Sequence, residues 1–151
     1  MSTINCKGTL IDLSTPKVMG IVNVTPDSFF DGGKLTNSDE IVGQVEKMLH
    51  DGATFIDLGG YSSKPGAEFV SESEELNRVI PIVKLLVDKF PDILLSIDTF
   101  RSEVAKQAVE NGAAIINDIS AGLLDEKMLE TVAKLQVPYI MMHMKGTPKT
   151  M

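Results

Sequence analysis

The sequence predicts an α/β protein with a parallel sheet, more specifically part of a (β/α)8 TIM barrel, and two observations lead to this class. Short apolar runs rich in β-branched residues alternate with helical patterns along most of the chain, which is typical of βα units. Short polar residues stand near the carboxyl ends of several different runs, whereas an open doubly wound sheet concentrates its reactive groups at one switch point. The distributed pattern favours the closed barrel.

A short β-hairpin opens the chain at residues 3–13, with Lys7 and Gly8 near its turn. About five parallel strands follow, and we predict them at residues 17–24, 54–58, 93–98, 114–119 and 138–143. The polar residues within or at the ends of these strands are Asn23, Asp57, Asp98, Asn117, Asp118 and His143.

Four helices are predicted between the strands, at residues 38–51, 71–90, 102–111 and 125–135. Asn37 and Glu40 have capping-box spacing at the first helix, and Gly52 follows it as a C-terminal cap would. The second helix contains Pro81, so we expect a kink or a restart near Arg78.

The length of the chain predicts an incomplete barrel. A closed barrel of this kind needs about 250 residues, and the sequence has 151. We therefore expect residues 1–151 to form the N-terminal portion of a single barrel domain. Such a portion would leave two unpaired sheet edges, which favour association.

Composition and charge exclude several classes of protein. The net charge of -7, without a basic patch, argues against a partner that is nucleic acid. No apolar run reaches the roughly 18 residues of a membrane span, and the N-terminus lacks the apolar core of a signal peptide. We expect no membrane association and a cytoplasmic location. The single cysteine, Cys6, cannot form an internal disulfide, and we expect no catalytic role for it.

The strand-end residues predict a polar pocket. Side chains at i and i+2 of a strand share a face, so Asn23 lies on the same side as Ile21, and Asp98 on the same side as Ser96. An ionised Asp98 without a cationic partner suits a ligand with an amidine-like pair of N–H donors. The alternative is that Asp98 caps the helix that follows it or makes a hydrogen bond within the loop.

Asn117 extends the same argument, with Ile115 and Ile119 on its side of the strand. Its amide offers both a donor and an acceptor and can read the edge of a heterocycle, although such residues at strand ends often only turn the chain. Ile140 and Met142 share a face on the last strand, and the opposite parity of His143 suggests a structural role. Together these positions favour a heterocycle pocket.

Two long polar loops adjoin this end of the sheet. The segment TPDSFFDGG follows the first parallel strand, and GGYSSKPGA, residues 59–67, follows the second. Lys64 in the latter is suited to an anion or a carboxylate. Loops with glycine hinges beside a cavity are candidates for lids that order on ligand binding.

Four segments, NVTPDSFFDGG, GGYSSKPGA, SIDTFRSEVAKQAVENGAAIINDISAG and MMHMKGTPKTM, together resemble dihydropteroate synthases, the folate-pathway enzymes inhibited by sulfonamides. The resemblance covers essentially the whole chain in order and spacing. It implies a pterin-binding TIM barrel. It also implies condensation of 6-hydroxymethyl-7,8-dihydropterin pyrophosphate with p-aminobenzoate, which yields 7,8-dihydropteroate and pyrophosphate.

The resemblance also implies roles for particular residues. Asn23 would be the protein ligand of a Mg2+ cofactor that also binds the substrate pyrophosphate, and Asp98 would hydrogen-bond the pterin and stabilise positive charge during the reaction. These two are the expected catalytic residues. Asn117 would also bind the pterin ring, with Ile119 and Met142 packed on its faces.

The second loop departs from the common form of the family. Ser63 and Lys64 would contact substrate, but they stand where Thr-Arg is usual, and Tyr61-Ser62 replaces Glu-Ser. A hydroxyl and a positive charge are kept, while a bidentate guanidinium is lost.

Some family features have no counterpart within these 151 residues. A later aspartate and lysine complete the pterin pocket, and an Arg/His pair binds the pyrophosphate, so we expect no turnover by this chain alone. The full-length protein is expected to be a homodimer. Two other interpretations stay open: a methyltetrahydrofolate–corrinoid methyltransferase-like barrel, and a non-catalytic partial barrel.

Overall fold

The structure is a computed structural model that describes residues 2–24, 36–61, 69–146 and 150. The strands are β1 Thr3–Cys6, β2 Thr9–Asp12, β3 Met19–Asn23, β4 Phe55–Gly59, β5 Leu95–Asp98, β6 Ile115–Asp118 and β7 Tyr139–Met141. The helices are α1 Thr36–His50, α2 Glu72–Lys89, α3 Ser102–Glu110 and α4 Met128–Leu135. No helix in these ranges has the length and apolar character needed to cross a bilayer.

The main sheet has the order β3-β4-β5-β6-β7, and every neighbouring pair is parallel. Strands that follow one another in the chain are also neighbours in space, each joined to the next by a segment that contains a helix. This is the connectivity of a (β/α) barrel wall, and the prediction of five parallel strands with four helices is confirmed for the described residues.

One face of the sheet packs against the helices because its strand residues at alternate positions are apolar. Val22, Leu58 and Ile97 are buried in this layer. They pack with Val83 and Leu86 of α2 in the principal core. Burial of each such side chain stabilises the fold by about 1.5 to 3 kcal/mol.

The antiparallel hairpin β1-β2 covers part of the opposite face. Cys6 is buried in a second apolar cluster with Phe55, Ala114 and Ile115, so it is a core residue. Lys7 and Gly8 have φ angles of 54° and 83°, which is the pairing of positive φ values that a tight hairpin turn favours. The predicted turn at Lys7-Gly8 is confirmed.

Two predicted helix starts are wrong. Helix α1 begins at Thr36, so Asn37 lies inside its first turn and does not precede it. Helix α4 begins at Met128, three residues later than predicted, because the Asp125 carboxylate accepts from the backbone N–H groups of Lys127 and Ser102, at 3.0 and 2.7 Å. Asp125 thus caps two segments and does not start a helix.

Helix α2 runs through Pro81 without a break, and the predicted restart near Arg78 is wrong. The proline lies on the exposed face, where water can satisfy the carbonyl that its missing N–H leaves free. The predicted N-terminus is confirmed, since the Ser71 hydroxyl accepts from the backbone N–H of Glu74 at 3.2 Å.

Candidate functional site

Five residues, one from each parallel strand, form a single row across the sheet face opposite the helices. The register pairs Asn23 with Gly59, Gly59 with Asp98, Asp98 with Asn117 and Asn117 with Ile140. Side-by-side positions of parallel strands share a face, so all five point to the same side. The structure therefore brings together the three polar residues that the sequence predicts for the pocket.

Gly59 leaves room between the two predicted catalytic side chains. A Cβ at this position would lie 3.5 Å from Asp98 Oδ2 and 3.8 Å from Asn23 Oδ1. The two oxygens thus approach the same point above the glycine from neighbouring strands. A bound group that enters between them would contact both.

A second row lies one step towards the amino ends of the strands and contains Ile21, Asp57, Ser96 and Ile115. Asp57 is 4% exposed, and its Oδ2 accepts a hydrogen bond from Asn117 Nδ2 at 3.0 Å. Among the described residues, Asp57 Oδ1 and Ser96 Oγ have no hydrogen-bond partner. Burial raises the pKa of Asp57, and the neighbouring Ser96 hydroxyl and the Asn117 amide oppose the rise.

Asp98 is half-buried beside other carboxyl groups. Burial raises the pKa of Asp98 to about 7, and the negative charges of Asp57, Glu75 and Asp118 contribute to the rise. The alternative that Asp98 caps α3 is wrong, because the N-cap of α3 is Arg101 and the N–H of Ser102 bonds to Asp125. The Asp98 side chain also makes no hydrogen bond to the residues that the structure describes, so it is available to a ligand.

Asp118 has a structural role. Its carboxylate is fully buried and accepts from the backbone N–H of Ser120, the Ser120 hydroxyl, the backbone N–H of Gly122 and the Tyr139 hydroxyl, at 2.6 to 2.9 Å. Burial and the hydrogen bond to Asp118 raise the pKa of the Tyr139 hydroxyl. At this strand end Asp118 organises the turn while Asn117 faces the pocket. The chain-turning role considered for these residues thus belongs to Asp118, and heterocycle binding stays the prediction for Asn117.

Ile119 and Met142 lie just beyond the paired ends of β6 and β7. Ile119 is half-buried and Met142 is exposed, and the Met142 N–H bonds to the Asp118 carbonyl at 3.1 Å. The strand pairing continued by one residue places them side by side, on the face of Asn117 and Ile140. Their predicted role at the ring faces stays a prediction.

Ser63 and Lys64 lie outside the described residues, in segment 62–68, but both ends of that segment are described. Tyr61 meets Phe100 edge to face, with 5.4 Å between ring centroids. The Arg101 guanidinium carbon lies 4.8 Å from the Phe100 centroid, 5.7 Å from that of Tyr61 and 5.9 Å from that of Phe69. One arginine therefore contacts aromatic rings on both sides of segment 62–68.

Arg101 is anchored by a buried acid that sequence reasoning missed. Its Nη1 lies 2.5 Å from Glu75 Oε2, and its Nη2 donates to the Val70 carbonyl at 2.6 Å. Arg78 Nη1 also donates to the Gly60 carbonyl at 3.1 Å. No sequence signal could reveal the Glu75–Arg101 pair, because its members are 26 positions apart on different helical segments.

Asp57 is the other residue that was missed as part of the site, and here a signal existed. It lies two positions before Gly59 on β4, so strand alternation already places it on the pocket face.

The donor set near Asn23 fits one side of a magnesium shell. The described residues contain no group of three or more His, Cys, Asp or Glu that could hold a metal. Asn23 Oδ1 is a hard oxygen donor beside Gly59, and Mg2+ characteristically uses few protein oxygens together with phosphate oxygens and water. The residues are compatible with Mg2+ bound together with a phosphate.

Comparison with known proteins identifies the family. Residues 19–151 match the family described as pterin binding enzyme. The chain is 55% identical over 129 residues to the folic acid synthesis protein fol1 of Pneumocystis carinii, an alignment that spans 85% of this chain and 17% of that protein.

Solved structures give the same result. The dihydropteroate synthase of Yersinia pestis, in a sulfonamide drug complex, is 47% identical with a TM-score of 0.86, covering 98% of this chain and 53% of that one. That of Xanthomonas albilineans with 4-aminobenzoic acid is 45% identical with a TM-score of 0.85, covering 95% and 52%. This chain thus spans about half the length of these bacterial enzymes, and it belongs to the pterin-binding enzyme family.

Proposed function

We propose that this chain supplies the pterin-binding half of a dihydropteroate synthase. The reaction condenses 6-hydroxymethyl-7,8-dihydropterin pyrophosphate with p-aminobenzoate to form 7,8-dihydropteroate and pyrophosphate in folate biosynthesis. The observation that carries the proposal is the single row in which Asn23, Asp98 and Asn117 face the same side at the carboxyl ends of β3, β5 and β6. The similarity to dihydropteroate synthases supports the choice of reaction.

Asp98 binds the pterin through its carboxylate. The pKa of Asp98 is raised to about 7 by burial and by neighbouring negative charges. A ligand with N–H donors offsets both effects and therefore favours the ionised form when it binds. As the pyrophosphate leaves the pterin methylene, positive charge spreads into the ring, and the carboxylate stabilises it. The arylamine attacks with its own lone pair, so no general base is required.

Asn23 would hold Mg2+ through Oδ1, together with oxygens of the substrate pyrophosphate and water. When bound, Mg2+ supplies charge stabilisation of the departing pyrophosphate. Asn117 would read the pterin edge, and Ile119 and Met142 would pack on the ring. Ser63 and Lys64 would contact substrate from the loop whose ends Arg101 holds.

p-Aminobenzoate is the proposed second substrate. The Xanthomonas albilineans enzyme, 45% identical to this chain, was solved with 4-aminobenzoic acid.

Binding of the pterin substrate tests the assignment of the pocket. In the full-length gene product, Asn23→Ala and Asp98→Ala should each weaken binding of 6-hydroxymethyl-7,8-dihydropterin pyrophosphate, measured by calorimetry with Mg2+ present. Loss of a charge-assisted hydrogen bond worth about 1.5 to 3 kcal/mol corresponds to roughly 10- to 150-fold weaker binding. Asn77→Ala and Asp88→Ala, exposed on α2, are matched controls. Unchanged affinity in both site variants would show that the pocket is misassigned.

The rival methyltransferase-like function is tested in the same calorimeter. Methyltetrahydrofolate bound more tightly than the pterin pyrophosphate with Mg2+ would favour the methyltransferase-like function.

We also propose that the 151-residue chain alone does not turn over, that the full-length protein is a homodimer, and that it is cytoplasmic. Dihydropteroate formation by the isolated chain, a monomeric mass in sedimentation, or membrane recovery on cell fractionation would contradict these three proposals in turn.

A further inference from the structure

We infer that Asp57 is a positioning residue of the pterin pocket, which sets the orientation of the Asn117 amide and thereby decides which hydrogen-bonding groups that amide presents to a ligand. This inference rests on the proposed function and deepens it. Asp57 itself lies below the ligand row and is not expected to touch the substrate.

The geometry restricts the amide because the carboxylate is an acceptor. Asn117 Nδ2 donates to Asp57 Oδ2 at 3.0 Å, and Oδ2 accepts this bond both in the ionised carboxylate and in a neutral acid that carries its proton on Oδ1. The amide nitrogen must therefore point down towards Asp57. The Asn117 carbonyl oxygen and its second amide hydrogen are left for a ligand in the row above.

Burial makes this restraint strong. Asp57 is 4% exposed and lies in the sheet interior between Ile21 and Ser96 of the neighbouring strands, so water does not compete freely for Oδ2. A polar atom without a partner at such depth is costly, which disfavours release of the amide. A free asparagine on an exposed strand end would instead rotate and present either of its two ends.

The consequence is a specificity rule for the ligand. Asp98 is the register neighbour of Asn117, so two acceptor oxygens lie side by side at the ends of β5 and β6. Such a pair recognises a heterocycle whose edge carries N–H donors. An analogue with a carbonyl at the position opposite Asn117 Oδ1 would be rejected.

If Asp57 had a purely structural role, its replacement would lower the stability of the fold. The positioning role predicts no such loss. Because burial raises the pKa of Asp57 and Oδ1 has no partner among the described residues, the ionised form is disfavoured in the folded state. The neutral isostere Asp57→Asn should therefore leave the unfolding midpoint unchanged or raise it. The same variant should weaken pterin binding, because the introduced amide can turn either its oxygen or its nitrogen towards Asn117.

The experiment uses full-length protein with Asp57→Asn, and with Asp88→Asn on the exposed face of α2 as the matched control. Calorimetry with 6-hydroxymethyl-7,8-dihydropterin pyrophosphate should show affinity about tenfold lower for Asp57→Asn, with the urea midpoint no lower than that of the unchanged protein. Nitrogen-15 NMR of the unliganded protein should show faster hydrogen exchange of the Asn117 side-chain amide. The control should match the unchanged protein in all three measurements.

The outcomes separate the two proposals. If the unchanged protein does not bind the pterin, the proposed function fails, and the NMR comparison alone decides the role of Asp57. If the unchanged protein binds and Asp57→Asn binds equally, with unchanged amide exchange, Asp57 is not a positioning residue. A lower affinity that is accompanied by a lower urea midpoint would also overturn the inference, because destabilisation would account for it.

Discussion

The carboxylate of Glu75 and the guanidinium of Arg101 form a buried ion pair, Oε2 to Nη1 at 2.5 Å, beside the two described ends of segment 62–68. Glu75 comes from α2 and Arg101 from the turn that follows β5. Tyr61 and Phe69, on either side of the segment, both lie within 6 Å of the guanidinium carbon. The pair therefore links the core of the helical layer to the two residues that flank segment 62–68, the segment to which Ser63 and Lys64 belong.

Arg101→Met should lower the free energy of unfolding by about 3 to 5 kcal/mol, because it leaves the buried Glu75 carboxylate without its cation. Urea denaturation at neutral pH measures this loss. Lys134→Met, which removes the cation of the exposed Glu130–Lys134 pair, should give no measurable change. A second variant, Arg101→Met with Glu75→Met, should recover part of the loss. Equal stability of the Arg101 and Lys134 variants would mean that the buried pair contributes nothing.

The stability of the chain should fall as the pH rises from about 4 to about 7. The pKa of Asp98 is about 7 in the folded chain, against an ordinary value of 3.8, so in this window the folded state holds a proton that the unfolded state has released. The free energy of unfolding therefore decreases with pH. Burial raises the pKa of Asp57 and of Glu75 as well, which adds slope of the same sign.

Asp98→Asn should flatten this pH dependence, since the asparagine cannot release a proton on unfolding. Urea denaturation of both proteins at several pH values between 4 and 8 measures the two slopes. The exposed Asp88→Asn serves as the control and should keep the original slope. Parallel slopes for the Asp98 variant and the unchanged protein would assign the dependence to other groups.

Alanine at the two adjacent glycines Gly59 and Gly60 should separate binding from stability. A Cβ at Gly59 meets Asp98 and Asn23 only at 3.5 Å or more, so Gly59→Ala should fold normally. The added methyl group fills the gap between the two oxygens, so binding of the pterin pyrophosphate with Mg2+ should fall at least about tenfold, or ~1.4 kcal/mol.

At Gly60 the Cβ would lie 2.7 Å from Val79 Cγ2 in the core. Gly60→Ala should therefore destabilise the protein by about 1 to 3 kcal/mol through overpacking. Thermal unfolding and calorimetric titration of both variants give the comparison. If Gly59→Ala binds the pterin normally, the space above Gly59 is not part of the site.

Local sequence patterns predicted the strands of this fold well because strand alternation and turn chemistry act over a few residues. Lys7-Gly8 adopts the positive φ values of a hairpin turn, and Asn23 and Asp98 end their strands as expected. Helix starts were less accurate. Asp125 is a residue type that often begins a helix, but it lies outside α4. Its carboxylate accepts hydrogen bonds from the N–H groups of Lys127 and of Ser102, which is 23 positions away.

By itself, the sequence determined the order of the elements, the face on which each strand residue lies, and the family, because these follow from short-range periodicity and from contiguous motifs. Only the tertiary structure decided which side chains form hydrogen bonds with the buried carboxyl groups. Asp57 lies 60 positions from Asn117, and Glu75 lies 26 positions from Arg101, yet each pair is hydrogen-bonded. The register of parallel strands and the packing of helices on the sheet set those distances, and no local pattern in the chain encodes them.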